Sequence, residues 1–290
     1  MNRRFDKIVS LIPDKLYLSL KYYKNFGRFP NWKNPQTFSE KLQWLKLYDR
    51  KPEYTTMVDK YAVKDYVASI IGSEYVIPTL GVWDRPEDIE WEKLPNQFVL
   101  KTSHGGGSDG VVICRDKKTL DKQRVIGLLN KNLQTDLYEI HREWPYKNVP
   151  KRIIAEQYLD PAPDIDLYDY KFSCFDGYVT DVMVCTERDS GETKFYFFNK
   201  DWELLPLNIR GKTVPVGFTL PKPSCIDEMF ELASKLSKGL PYARVDLYAV
   251  NGKPYFGEIT FFPNSGFDKN LLPETEKWHG SLIKLPNLTK

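Results

Sequence analysis

Arg244 and Asp246 stand two residues apart in YARVDLYAV, and Glu258 and Thr260 stand two apart in YFGEITFF. In extended backbone, residues i and i+2 share a face, so each pair is presented on one side of its strand. The two runs meet at Asn251-Gly252, a strong hairpin signal. Two carboxylates at one strand-pair distance repel unless a cation lies between them. Hard oxygen ligands of this kind suit Mg2+ bridging nucleotide phosphates. The register decides whether they meet. A strict two-residue turn pairs Val250 with Lys253 and Asp246 with Gly257, which turns Glu258 to the opposite face. A three-residue loop or a bulge pairs Asp246 with Glu258. If the carboxylates act together, the second register is required.

A second stretch, KTSHGGGSDGVVIC (101 to 114), contains G-x-G-x-x-G in Gly105, Gly107 and Gly110. The dinucleotide fingerprint needs a helix after the glycines. Here Val111, Val112 and Ile113 read as strand, as does QFVLK before the loop. The unit is strand, glycine loop, strand, a hairpin whose N–H groups can fold over phosphates as a lid, as they do in protein kinases. No Gly-Lys-Ser/Thr follows, so it is not a Walker A loop. Lys101 ends the first strand, where its ammonium can meet a phosphate oxygen, and the same geometry fits a mobile surface hairpin.

The elements that must position these residues read as α+β, dominated by antiparallel pairs. TFSEKLQWLKLYDR (37 to 50) opens with a capping box, Thr37 and Glu40. A helix is expected over Thr56 to Ile71, another over 118 to 133 and a third near 225 to 238. Strands are expected at 152 to 159, 169 to 175, 178 to 185 and 193 to 198, then the closing hairpin at 242 to 262. With 290 residues, 41% of them hydrophobic, the chain can bury a core in one large domain or two lobes. Residues 1 to 51 hold 12 Lys+Arg against 4 Asp+Glu, and KYYKNFGRFPNWKN (21 to 34) interleaves charge with aromatics. Such a segment suits an anionic membrane surface, an acidic glycan or nucleic acid, or is a solvated arm. Cys114, Cys174, Cys185 and Cys225 lack C-x-x-C spacing, no run reads as a signal peptide, and three histidines lack metal spacing. A reducing cytoplasm is expected.

Lysine before a glycine hairpin, a strand ending in Glu, then R-x-D and E-x-polar on a closing hairpin resembles the order of parts in the ATP-grasp superfamily. TFSEKLQWLKL, DKYAVKDYV and YFGEITFFPNSGF are most similar to its TupA-like, teichuronopeptide-biosynthesis branch, and the resemblance covers about residues 37 to 268. It implies two α+β lobes holding ATP between antiparallel sheets. A helical basic region over 1 to 54 would precede an ATP-grasp domain over 55 to 290, with a glycine-hairpin lobe near 75 to 155 and a metal-binding lobe near 156 to 290.

The resemblance also assigns residues. Lys64 and Lys101 look like nucleotide lysines, with the lid at Gly105, Gly106, Gly107, Ser108 and Gly110. Ser103 and His104 would add phosphate contacts. AEQYL (155 to 159) resembles the hinge, with Glu156 accepting from the adenine amino group beside Gln157 and the Leu159 backbone. Asp164 is a candidate for the ribose, and Lys194 or Arg188 for the γ-phosphate. Asp246, Glu258 and Thr260 resemble the Mg2+ ligands, Thr260 standing where the family has Asn, and Arg244 resembles the cation facing the transferred phosphoryl group. The α/β domain that members commonly carry before the grasp has no counterpart in about 55 mainly helical residues, so acceptor binding is expected to fall to the basic aromatic segment.

The activity implied is an ATP- and Mg2+-dependent carboxylate–amine ligase working through an acyl phosphate, in bacterial capsule or cell-surface polysaccharide biosynthesis. It would join a small-molecule or glycan carboxylate to an amine such as an amino acid. Peripheral contact of the N-terminal region with membrane or anionic glycan is expected, and no nucleic acid partner. The alternatives are a phosphotransferase on a sugar or lipid and a non-catalytic nucleotide-binding partner in polymer assembly. HREWPYKN (141 to 148) imitates a kinase catalytic loop, but D-F-G and A-P-E are absent and Lys101 precedes the glycines.

Overall fold

The computed structural model describes residues 11–107, 110–160, 167–187 and 193–287. The chain opens with helices α1 (Asp14–Phe26) and α2 (Phe38–Tyr48). The expected capping box at the start of α2 is formed: the Thr37 hydroxyl accepts from the Glu40 N–H, and the Glu40 carboxylate accepts from the N–H groups of Thr37, Gln36 and Asn31.

The helix expected over 56 to 71 is two helices, α3 (Glu53–Val58) and α4 (Val63–Ile71). Asp59 breaks it. Its backbone is extended, and its carboxylate accepts from the N–H groups of Tyr61 and Ala62 while pairing with Arg152 at 2.7 Å. A short acid competing with the helical ladder for backbone donors explains the break. The turn so created delivers Lys60 sideways, its N–H bonded to the Ser103 carbonyl at 2.9 Å.

The smaller sheet has strand order β1-β4-β2-β3, from β1 (Thr79–Trp83), β2 (Phe98–Thr102), β3 (Val112–Cys114) and β4 (Ile153–Gln157), with every pairing antiparallel. Helices α5 (Lys122–Leu133) and α6 (Leu137–His141) fall between β3 and β4. Phe98, Leu100, Ile153 and Ala155 of the sheet bury against Val125 and Leu129 of α5 to form this lobe's core. β2 and β3 are the two arms of the glycine hairpin.

The larger sheet runs β10-β9-β5-β6-β7-β8 and is likewise antiparallel throughout. It is built from β5 (Asp169–Phe175), β6 (Tyr178–Thr186), β7 (Lys194–Phe198), β8 (Leu204–Leu205), β9 (Ala243–Val250) and β10 (Lys253–Thr260). Two helices lie between β8 and β9, α7 (Ile209–Thr213) and α8 (Ile226–Ser237), and α9 (Pro273–Leu282) follows β10. Phe172, Val245, Leu247 and Ile259 are buried in one cluster with Met229, Phe230 and Ala233 of α8. Phe38, Leu42, Leu45, Met57 and Val67 belong to the same core, so the front helices are part of the larger lobe's packing. The other face of β5, β9 and β10 carries the polar residues.

Candidate active site

The hairpin β9–β10 solves its register problem with both devices at once. Its turn is the strict two-residue one, Val250 opposite Lys253, with Asn251 and Gly252 at φ 51° and 75°. Up to Phe256, which faces Leu247, that register would set Glu258 on the core face. A bulge at Gly257 then shifts the pairing by one, so that Glu258 faces Asp246 and Thr260 faces Arg244. Glycine is needed there: a Cβ would stand 3.0 Å from the Asp246 carbonyl oxygen and 3.1 Å from the Tyr248 ring.

Around this pair the charges interlock. Arg244 clamps Asp246 with two bonds of 2.7 Å and reaches Glu258 at 3.0 Å and the Thr260 hydroxyl at 3.2 Å. Lys171, opposite Asp246 on the central strand β5, bonds the same carboxylate and lies 3.2 Å from Asp169. Burial pushes the Asp246 carboxyl above its ordinary value against the pull of Arg244 and Lys171. It opposes the charge on Arg244 too, yet facing Asp246 raises that guanidinium further. For Glu258, burial is outweighed by Lys60 and then Arg244, so its pKa is lowered. The pair is held in a buried ion network rather than on a solvated hairpin.

Lysines of the α3–α4 turn, of α4 and of β2 complete the constellation. Lys60 lies 3.7 Å from Glu258 and donates to the Gly105 carbonyl, linking the Asp246–Glu258 pair to the glycine hairpin. Lys64 and Lys101 both bind the buried Glu156 carboxylate, at 2.7 and 2.5 Å, and Lys64 also donates to the Ile77 carbonyl. Burial works against ionisation of Glu156, but the two ammoniums overcome it and lower its pKa. A shallow cleft beside the hairpin is lined by Lys60, Lys101, Gly105, Gly106, Gly107 and Gly110. Gly107 has φ 71°, a conformation that favours glycine.

Residues 40–284 match the family described as TupA-like ATPgrasp. The chain belongs to the TupA-like ATP-grasp family. Similar solved structures include a D-alanine–D-alanine ligase from Bacillus anthracis complexed with ATP, at 17% identity and TM-score 0.44, covering 79% of this chain and 62% of that one. The D-alanine–D-alanine ligase from Helicobacter pylori gives 14% and 0.47, covering 88% and 68%. The L-amino acid ligase from Bacillus licheniformis gives 14% and 0.47, covering 86% and 55%. The chain thus spans about 55 to 68% of the length of these proteins. No curated protein gives a significant sequence match.

In this ATP-grasp chain Asp246, Glu258, Thr260 and Arg244 come together on one sheet face, and Lys64, Lys101 and Glu156 gather on another. Other expected residues are placed differently. Ser103, expected to face a phosphate, is buried in the turn after β2: its hydroxyl donates to the Pro150 carbonyl and accepts from the Arg152 N–H. His104 is buried as well, and burial, followed by the charge on Lys151, lowers its pKa. Lys194, at the start of β7, pairs with Glu187 at 2.6 Å. Gln157 ends β4 and is exposed, its N–H held by the Pro78 carbonyl, and Leu159 lies in the loop beyond. Ser108, Asp164 and Arg188 lie outside the described residues.

Two residues were not anticipated. Lys60 is concealed by the helical reading of 56 to 71. Lys171 carries a signal in retrospect: in DYKFSCF it shares a strand face with Asp169 and Ser173, opposite the apolar Tyr170, Phe172 and Cys174. Among the described residues no three His, Cys, Asp or Glu side chains gather to hold a metal. The donor set on β9–β10 nevertheless fits Mg2+, which takes one or two carboxylates and completes its shell with phosphate oxygens and water.

Proposed function

We propose that the chain is an ATP-dependent carboxylate–amine ligase that activates its acid as an acyl phosphate. The observation that carries this reading is the Gly257 bulge, which puts Asp246 opposite Glu258 within reach of Arg244 and Lys60, beside the glycine hairpin. Phosphoryl transfer asks a protein mainly for positioning and charge neutralisation. Hairpin N–H groups with Lys60 and Lys101 would hold the phosphates of ATP. Asp246 and Glu258, with the Thr260 hydroxyl beside them, would hold Mg2+, which would supply neutralisation of phosphate charge. Arg244 would face the transferred group. A carboxylate oxygen of the acid attacks the γ-phosphorus and ADP leaves. The amine then attacks the acyl carbon, inorganic phosphate departs with the former carboxylate oxygen, and the amine loses a proton to give the amide.

The TupA-like family supports setting this reaction in bacterial capsule or surface-polysaccharide biosynthesis, with a uronic or amino acid as the carboxylate and an amino acid as the amine. Four buried free cysteines support a reducing cytoplasm as its compartment. The test is ADP release with Mg2+ against uronic acids and amino acids, singly and in pairs, with product mass and an Asp246→Asn control. Pair-dependent ADP release with an amide mass, lost in the control, supports the ligase. A phosphorylated acceptor formed without any amine overturns it in favour of a phosphotransferase, and ATP binding without turnover in favour of a non-catalytic partner.

A further inference from the structure

Helix α1 shows its apolar residues on the wrong side for a helix that only packs. Leu18 and Tyr22 are buried against the body of the protein, but Leu16, Leu20 and Tyr23 are each more than half exposed. Their spacing of four and three puts them in one stripe along the outer face. Phe29, also more than half exposed, extends the stripe past the Gly27 cap by stacking on Tyr23 at 4.9 Å. At 100° per residue Lys24 borders the stripe on one side, while Lys15 flanks it more widely on the other, its ammonium 5.8 Å from the Trp32 ring, and both are exposed. The one acid of this segment, Asp14, is turned inward, bonded to Arg50 at 2.6 Å and Arg142 at 3.2 Å. Tyr17 and Lys21 both donate to the Ile140 carbonyl at 2.8 Å. The helix is therefore fixed to the body with Leu18 inward and Leu16 and Leu20 outward.

We propose that this face of α1 is an interfacial anchor that seats the protein on an anionic phospholipid surface. Leucine and aromatic side chains on one face, bordered by lysines, form the pattern of a helix lying in the headgroup plane. A lipid surface fits better than the other occupants of such a face. Two copies docked through it would bring lysine borders of the same sign together, and an acidic glycan would leave the leucines in water. The α1 stripe is separate from the Asp246–Glu258 site, so the anchor stands or falls independently of the ligase reaction.

The test is flotation of the full chain with vesicles of mixed phosphatidylglycerol and phosphatidylcholine, and with phosphatidylcholine alone. The protein should float with the anionic vesicles, weakly with the neutral ones, and less at high salt. Lys15→Glu with Lys24→Glu should weaken anionic binding by on the order of fivefold per lysine or more. Leu16→Ser with Leu20→Ser should abolish it, with ATP binding unchanged and the melting temperature little changed because about half of each side chain is already in water. If the serine variant melts low, the lysine variant and the parent protein still decide the matter. Failure of the parent to float, equal binding to neutral and anionic vesicles, or a self-association removed by the serine variant without any flotation would each overturn the proposal.

Discussion

Glu156→Gln tests how Lys64 and Lys101 are held. The carboxylate is nearly inaccessible and sits 2.7 Å from the Lys64 ammonium and 2.5 Å from that of Lys101. At an effective dielectric of about 20, each pair carries a gross attraction of roughly 6 kcal/mol, most of it offset by desolvation. Glutamine keeps one acceptor oxygen but leaves two largely buried ammoniums without a counter-charge. Breaking a buried pair in this way costs about 3–5 kcal/mol. With an unfolding entropy of about 2.1 cal/mol/K per residue over this chain, the melting temperature should fall by roughly 5–8 °C. Differential scanning fluorimetry or calorimetry reads this directly. Adding Lys64→Met should recover part of the loss, because the second substitution removes one orphaned charge. The sequence resemblance instead gives Glu156 an adenine contact. An unchanged melting temperature, no coupling between the two substitutions and weaker binding of adenosine would refute the lysine-holding role.

Gly257→Ala should lower stability by about 1–3 kcal/mol, because the carbonyl of Asp246 cannot swing away from the new Cβ, and ATP turnover should fall with the displaced Glu258. A variant with parent melting temperature and turnover would show that the bulge does not need glycine. Lys60→Met should weaken ATP binding by roughly ten- to a hundredfold, the worth of a charge-assisted hydrogen bond, in isothermal titration; unchanged affinity would remove Lys60 from the site. Glu40 is a pH prediction. Burial opposes its charge, but Arg28 and the N–H groups of Gln36, Thr37 and Asn31 outweigh that and lower its pKa. A depressed carboxyl contributes stability above its unfolded value of about 4.3 and loses it as pH falls toward the folded value. Glu40→Gln should therefore cost about 1–3 kcal/mol at pH 7 and less below pH 4, measured by urea titration at both pH values; an equal loss at both pH values would contradict the assignment.

The closing hairpin, its Asn-Gly turn and the shared faces of Arg244 with Asp246 and Glu258 with Thr260 are legible because strand periodicity and turn chemistry are local. The register was legible only as a choice. Gly257 settles it, and a glycine inside a strand signals a bulge without saying which partner it will skip. Lys60 was hidden because helical periodicity runs unbroken through 56 to 71, while the side chain that interrupts it, Asp59, draws on Arg152 from 93 positions away. Ser103 and His104 read as loop residues beside the glycines; the backbone of Ser103 is tied to Arg152 and Lys60, and the turn buries both side chains. Long-range pairs decided each of these places, and no window of sequence contains them.

The most direct measurement follows the oxygen. With the acid labelled with 18O in its carboxylate, and ATP, Mg2+ and the amine supplied, the ligase account predicts one 18O in the inorganic phosphate for each amide formed, and none with Asp246→Asn. Unlabelled phosphate, or label retained entirely in the acid while ADP is released, would contradict acyl-phosphate formation at the Asp246–Glu258 site.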